Sequence, residues 1–145
     1  MLFNNVTFGG TGTKTLDDNF DINGNVIINV GVVVDASSND VDFYVARNWT
    51  NNGTFIQTSG EFYFDGTSGN QNIFMTNGYF GAVDVTKTAG TRRVTMTSPI
   101  TISRSLTVRA LNEFRTGNFD IYIGDDFTVE ATSIWTQNAA ATARQ

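Results

Sequence analysis

NWTNNGTFIQTSGEFYFDGTSG, Asn48 to Gly69, decides how the chain is read. Asn-Asn-Gly and Thr-Ser-Gly recur at short intervals, and only a few β-prone residues separate them. "TFIQ" and "EFYF" each suffice for one short strand, because β-branched and aromatic side chains suit a pleated surface. Asn and Gly accept the left-handed backbone angles of tight corners. The stretch therefore reads as the flats and corners of a stacked coil. Asn at a corner can also bond to the backbone of the next coil, forming ladders along the stack.

Period-two alternation extends the pattern in both directions. Val41, Phe43 and Val45 share one parity, as do Phe62 with Phe64 and Val83 with Val85. Val94 with Met96, Ile100 with Ile102, Leu106 with Val108, and Phe119 with Ile121 and Ile123 repeat it. Gly, Asn, Asp, Ser and Thr fill the intervals, which are turn chemistry. "SLTVRALNEF" could pass for a helix, but Thr107, Val108 and its strand-like neighbours argue against one. Two internal matches stand out: Phe8 and Gly10 with Phe64 and Gly66, and Phe43 and Val45 with Ile121 and Ile123. The second spacing exceeds the first by roughly 22 residues, a plausible length for one coil. Extra material is then expected around Asn77 to Ser98. Solenoids accept a whole inserted coil because each coil touches only its neighbours. The expected fold is all-β: a right-handed parallel β-solenoid (β-helix) of roughly six coils of about 20–26 residues. The alternative is a β-sandwich. Residues 1–138 are expected to form the solenoid segment, with 139–145 a tail continuing into, or excised from, a longer chain.

Composition narrows the chemistry. Of 145 residues, 40% are hydrophobic and 12% aromatic, enough for a core, and only 16% are charged. The net charge is −5 with nine Lys and Arg, so the basic footprint that nucleic acid requires is missing. No apolar run is long enough to span a bilayer as a helix. Cys and His are both absent, which excludes disulfides, thiol catalysis, the usual catalytic triad and zinc-protease motifs.

"NWTNNGTF" followed by "GEFYFDGTSGNQNI", then Phe80 to Val85 and Pro99 to Val108, resembles the repeats of very large secreted surface proteins of Bacteroidota. Those proteins are similar to gliding and surface adhesins exported by a type IX route. The resemblance is good between Asn48 and Val108 and loose in the flanks, with the Asn-Trp-Thr element present once in full. It implies a secreted or cell-surface β-solenoid, a stalk or adhesive filament rather than an enzyme. It implies self-association end to end or continuation in a longer array, and contact with surface polysaccharide. A carbohydrate-binding or carbohydrate-active β-helix enzyme is the alternative.

Candidate sites are weighed against simpler readings. Asp17-Asp18, Asp40-x-Asp42 and Asp125-Asp126 could contribute to calcium sites, since hard cations want clustered oxygens. No full calcium loop accompanies them, and solvated turn carboxylates are the simpler reading; no cofactor is expected. Glu61, Glu113 and Glu130 could supply a glycosidase pair, and Arg92 or Arg93 a lyase arginine, but nothing in the sequence fixes such a geometry. Tyr44, Tyr63, Tyr122 and Trp135 are candidate surface-contact aromatics, expected opposite their apolar neighbours. Thr11, Thr13 and Thr15, with Thr95 and Thr97, form Thr-x-Thr pairs of the kind found on ice-binding solenoids, without recurring in each coil. Asn5, Asn48 and Asn52 head Asn-x-Thr sequons, which matter only in a glycosylating pathway.

Overall fold

The computed structural model describes residues 2–90, 92–137 and 143–144. β1 (Leu2–Phe3), β2 (Val6–Phe8) and β3 (Gly12–Thr15) form the first coil, and β4 (Phe20–Ile22), β5 (Val26–Ile28) and β6 (Val32–Asp35) the second. The third is β7 (Phe43–Val45) with the long β8 (Trp49–Ile56), and the fourth β9 (Glu61–Phe64) with the long β10 (Gln71–Tyr79). β11 (Ala82–Val85), β12 (Arg93–Met96) and β13 (Ile100–Ile102) make the fifth. β14 (Leu106–Val108), β15 (Glu113–Gly117) and β16 (Ile121–Ile123) make the sixth. β17 (Phe127–Val129), β18 (Ile134–Gln137) and β19 (Ala143–Arg144) lie on the level beyond it.

All strand pairs among the described residues are parallel. No helix occurs among them. The chain is thus a parallel β-solenoid of about six turns, and the antiparallel sandwich is ruled out. The first face stacks β1-β4-β7-β9-β11-β14-β17. The second runs from β2 through β5, β8, β10, β12 and β15 to β18. The third is built from β3, β6, the second halves of β8 and β10, and then β13, β16 and β19.

The interior follows from the alternation. Phe62, Phe64, Val83, Val85, Val94, Val108, Ile121 and Ile123 are all buried, as their parity predicts. Phe3, Phe20, Phe43 and Phe62 stack ring on ring at 5.4, 5.3 and 5.5 Å. Trp49, fully buried, meets Phe43, Phe55, Phe62 and Phe80 at ring distances of 4.7–6.0 Å. Corners are tied by amides: Asn5 Oδ1 accepts from the Asn25 N–H, Asn25 Oδ1 from Asn48, and Asn48 Oδ1 from Asn72, at 2.7, 3.1 and 2.9 Å. This is the ladder expected from corner asparagines, and it accounts for Asn5 and Asn48 of the sequons. At Gly60 a Cβ would lie 2.1 Å from the Val41 carbonyl oxygen, so the neighbouring coil leaves no room for any side chain.

Coil length is as expected, but the two matches that suggested it are not equivalent positions. Phe43 pairs with Phe62, and Phe62 with Val83, so one turn separates each from the next. Phe8 lies on the second face and Phe64 on the first; Phe43 lies on the first and Ile121 on the third. A three-residue strand reading apolar-x-apolar is the same motif on every face, so such matches arise between faces as readily as within one. Asn77 to Ser98 is no insertion; it runs through β11 and β12 in ordinary register. The truer repeat is a left-handed corner: Gly69, Gly90, Leu111 and Thr132, evenly spaced along the chain, have φ of 66°, 66°, 65° and 68°. Of the stretch read as a tail, 143–144 pair with β16 and so belong to the stack, while 139–142 and 145 lie outside the described residues.

Candidate surface site

The outward side of the first face carries two of the candidate tyrosines, Tyr44 and Tyr63. Register places Asp21, Tyr44, Tyr63 and Asp84 one above another, each on a successive coil. Tyr44 and Tyr63 are half-buried and stack at 4.5 Å with their planes 6° apart. The Tyr63 hydroxyl donates to Glu61. That bond, more than burial, pushes the phenol well above the ordinary tyrosine range. Tyr44 is raised by burial first and then by Asp42. Because the rings lie flat against each other along the stack, each covers a face of its neighbour. The pair therefore presents ring edges and hydroxyls outward, not an open platform on which a sugar ring could lie.

Beside this pair, a shallow depression of about 660 Å³ is lined by Asp40, Asp42, Ser59, Glu61, Tyr63 and Arg104. Several of its polar groups engage one another. Asp42 Oδ1 accepts from the Glu61 N–H at 2.9 Å, and Arg104 donates to the Ser59 carbonyl. Among the described residues no group of three or more carboxylates converges to hold a metal ion. Asp17 and Asp18 are exposed, and Asp18 Oδ1 accepts from the Asn19 N–H at 2.8 Å.

Tyr122 lies elsewhere, 48% exposed on the third face. It borders a groove of about 480 Å³ with Met75, Asn77, Pro99, Thr101 and Asp120. The register shift between Met75 and Asn77 bends β10 at this groove. Trp135 differs from expectation: it takes the inward position opposite Phe114, stacking on that ring at 5.3 Å and meeting Phe127 edge-on at 4.6 Å. Its parity follows β15, not the Ile134 beside it, and Ile134 is the exposed residue, at 55%. The four aromatics therefore form no single row.

Of the carboxylates and arginines considered for catalysis, Glu113 pairs with Arg93, and Glu130 with Arg109. Arg93 Nε meets Glu113 Oε2 at 2.7 Å and Arg115 Nε meets Glu113 Oε1 at 2.5 Å. Burial pushes Glu113 up, but the hydrogen bonds from Arg115 and Arg93 outweigh it and hold the carboxyl below its usual range. Asp84, nearly buried, takes a forked contact from Arg109 at 2.6–2.9 Å, and Arg109 reaches on to Glu130 at 2.9 Å. Glu130 is lowered by the Ala110 N–H and then by Arg109. Arg92 Nη2 donates to the Thr88 carbonyl at 2.7 Å. The Thr-x-Thr pairs fall on different faces, Thr13 and Thr15 on β3 and Thr95 on β12.

One polar cluster escapes a reading of the sequence alone. Gln71 and Lys87 are buried inside the corner where the first face turns into the second, with Asp65 beside them. Lys87 Nζ donates to Gln71 Oε1 at 2.9 Å. A signal exists: Lys87 shares the parity of Val83 and Val85, and Gln71 that of Ile73 and Met75. Comparison with family models, with curated proteins and with solved structures yields no match.

Proposed function

We propose that this chain is a structural segment of an extracellular, adhesive β-solenoid, a stalk or filament piece of a bacterial cell-surface protein. The observation that carries the reading is the constancy of register along the stack. On the first face each strand pairs in parallel with the next from β1 to β17, so adding coils lengthens the rod without changing its section. The surface supports it. Glu113 with Arg93, and Asp84 and Glu130 with Arg109, are tied between coils, where they hold one level to the next. The resemblance of Asn48 to Ile73 to surface-protein repeats of Bacteroidota points the same way.

Antibodies raised against the purified chain test the reading. Labelling of intact, unpermeabilised source cells, with loss of cell attachment when the segment is deleted in frame, is the expected result. Label confined to lysed cells sinks it. The groove beside Tyr122 favours a second reading, binding of surface polysaccharide. Retention on a glycan array that falls at least tenfold in Tyr122→Ala is its expected sign, and unchanged retention removes it.

A further inference from the structure

Lys87 is 1% exposed, and the acceptor of its Nζ is Gln71 Oε1. Gln71 is itself fully buried and held at every polar atom: Nε2 donates to the Val45 and Arg47 carbonyls at 2.6 and 2.8 Å, and Oε1 also accepts from the Gly66 N–H at 3.3 Å. Asp65 Oδ1 is buried without a hydrogen-bond partner. An ammonium wants acceptors for three protons, and a carboxylate wants donors on both oxygens. Neither demand is met by the hydrogen bonds of the described residues, so burial shifts each group toward its neutral form. Burial lowers Lys87, with Asp65 opposing and Arg47 assisting. Burial raises Asp65, with Asp21 assisting.

A neutral amine is a nucleophile, and a carboxamide is an acyl group with a nitrogen leaving group. The two are held in contact, away from water, for the life of the fold, which is the condition under which a sluggish reaction becomes effective. We propose that Lys87 and Gln71 join in an intramolecular amide cross-link. Nζ attacks Cδ of Gln71, and the Cδ–Nε2 bond breaks. Nζ loses its proton, the departing nitrogen gains one, and a single ammonia leaves. No oxidant, reductant or cofactor enters the balance. The Gly66 N–H stands on the oxygen where negative charge develops. The product staples β10 of the fourth coil to the end of β11 in the fifth.

Intact mass spectrometry of the purified chain tests this directly. The folded protein is expected to be lighter than its sequence by one ammonia. Succinimide formation at Asn23-Gly24, Asn52-Gly53 or Asn77-Gly78 loses the same mass, so the link must be located. Chymotrypsin cuts between the partners at Phe74, Tyr79 and Phe80, and should release a branched peptide joining Gln71 and Lys87 that survives hydroxylamine. Lys87→Arg is expected at its own full sequence mass. Wild-type protein that keeps its full mass after prolonged incubation while folded overturns the proposal, whether or not the variant folds. So does an ammonia loss that maps to an Asn-Gly pair.

Discussion

The two halves of the stack hold their coils together by different means. From Phe3 to Phe80 the interior is a column of rings, with Trp49 at its centre, and the corner between first and second faces is tied by side-chain amides. From Val83 to Val108 the first face turns aliphatic, and ion pairs on the outside link the levels: Asp84 with Arg109 and Glu130, Arg93 with Glu113. Backbone pairing is the same in both halves. The fold thus asks only for an inward apolar residue at every second position and a group at the corner that can reach one level up. Rings and amides satisfy that request as well as branched chains and charges do.

Replacing Trp49 with Ala should have the largest effect. It removes the ring that four others touch and is expected to cost about 3–5 kcal/mol in urea unfolding. Leu106→Ala, in the aliphatic half, should cost less; equal losses would break the claim that the ring column is the stronger half. Asp84→Ala comes next, at about 1–2 kcal/mol, because the half-exposed Arg109 recovers water when its forked partner goes. The loss should shrink in high salt, whereas that of Trp49→Ala should not. Asn48→Ala removes one rung of the amide ladder and should cost about 1 kcal/mol, with faster hydrogen exchange at the Asn72 amide as its local sign. Leu111→Gly should stabilise by about 0.5–1 kcal/mol, since it relieves a side chain held at positive φ where two earlier coils use Gly.

Acid should separate the halves by the smallest margin. Glu113 and Glu130 sit below their usual range, so their contribution is complete above the unfolded carboxylate value, about 4.3, and is lost as pH falls through the lower folded value. Asp65 is raised, so protonation favours the folded state and its contribution grows as pH falls through the raised value. Followed from neutral pH toward pH of about 3, amide protection, taken relative to the intrinsic exchange rate at each pH, should therefore fall at Val94–Met96 before it does at Phe62–Phe64. An equal fall in both would remove the distinction.

Much of this is legible in the sequence, because alternation with corner Asn and Gly dictates parity: Val83, Val94 and Ile121 point inward as their neighbours require. Face assignment is not legible. A strand of three residues says only in or out, and nothing in it separates the first face from the second or third. Hence Phe8 matches Phe64 across faces, and the neighbours of Trp135 point it outward when its register with Phe114 puts it within. The buried Gln71 and Lys87 stay hidden for a related reason. A polar residue at an inward position reads as the end of a strand unless its parity is followed past the strand's edge. Tyr44 and Tyr63 lie on the outside as their parity requires, but the orientation of their rings depends on the coil spacing, which no local pattern encodes.

The parallel register of the stack also has a mechanical consequence. Strands lie across the rod, and the hydrogen bonds between coils lie along it. A pull on the two ends loads those bonds one level at a time, so the rod unspools instead of shearing as a block. A coil occupies about 4.8 Å of the axis. Once peeled away, its chain of roughly 21 residues can reach about 70 Å at full extension. A tether built this way would give slack in steps under a sudden load and recover by rewinding. The rings in the first half should make its coils the last to let go.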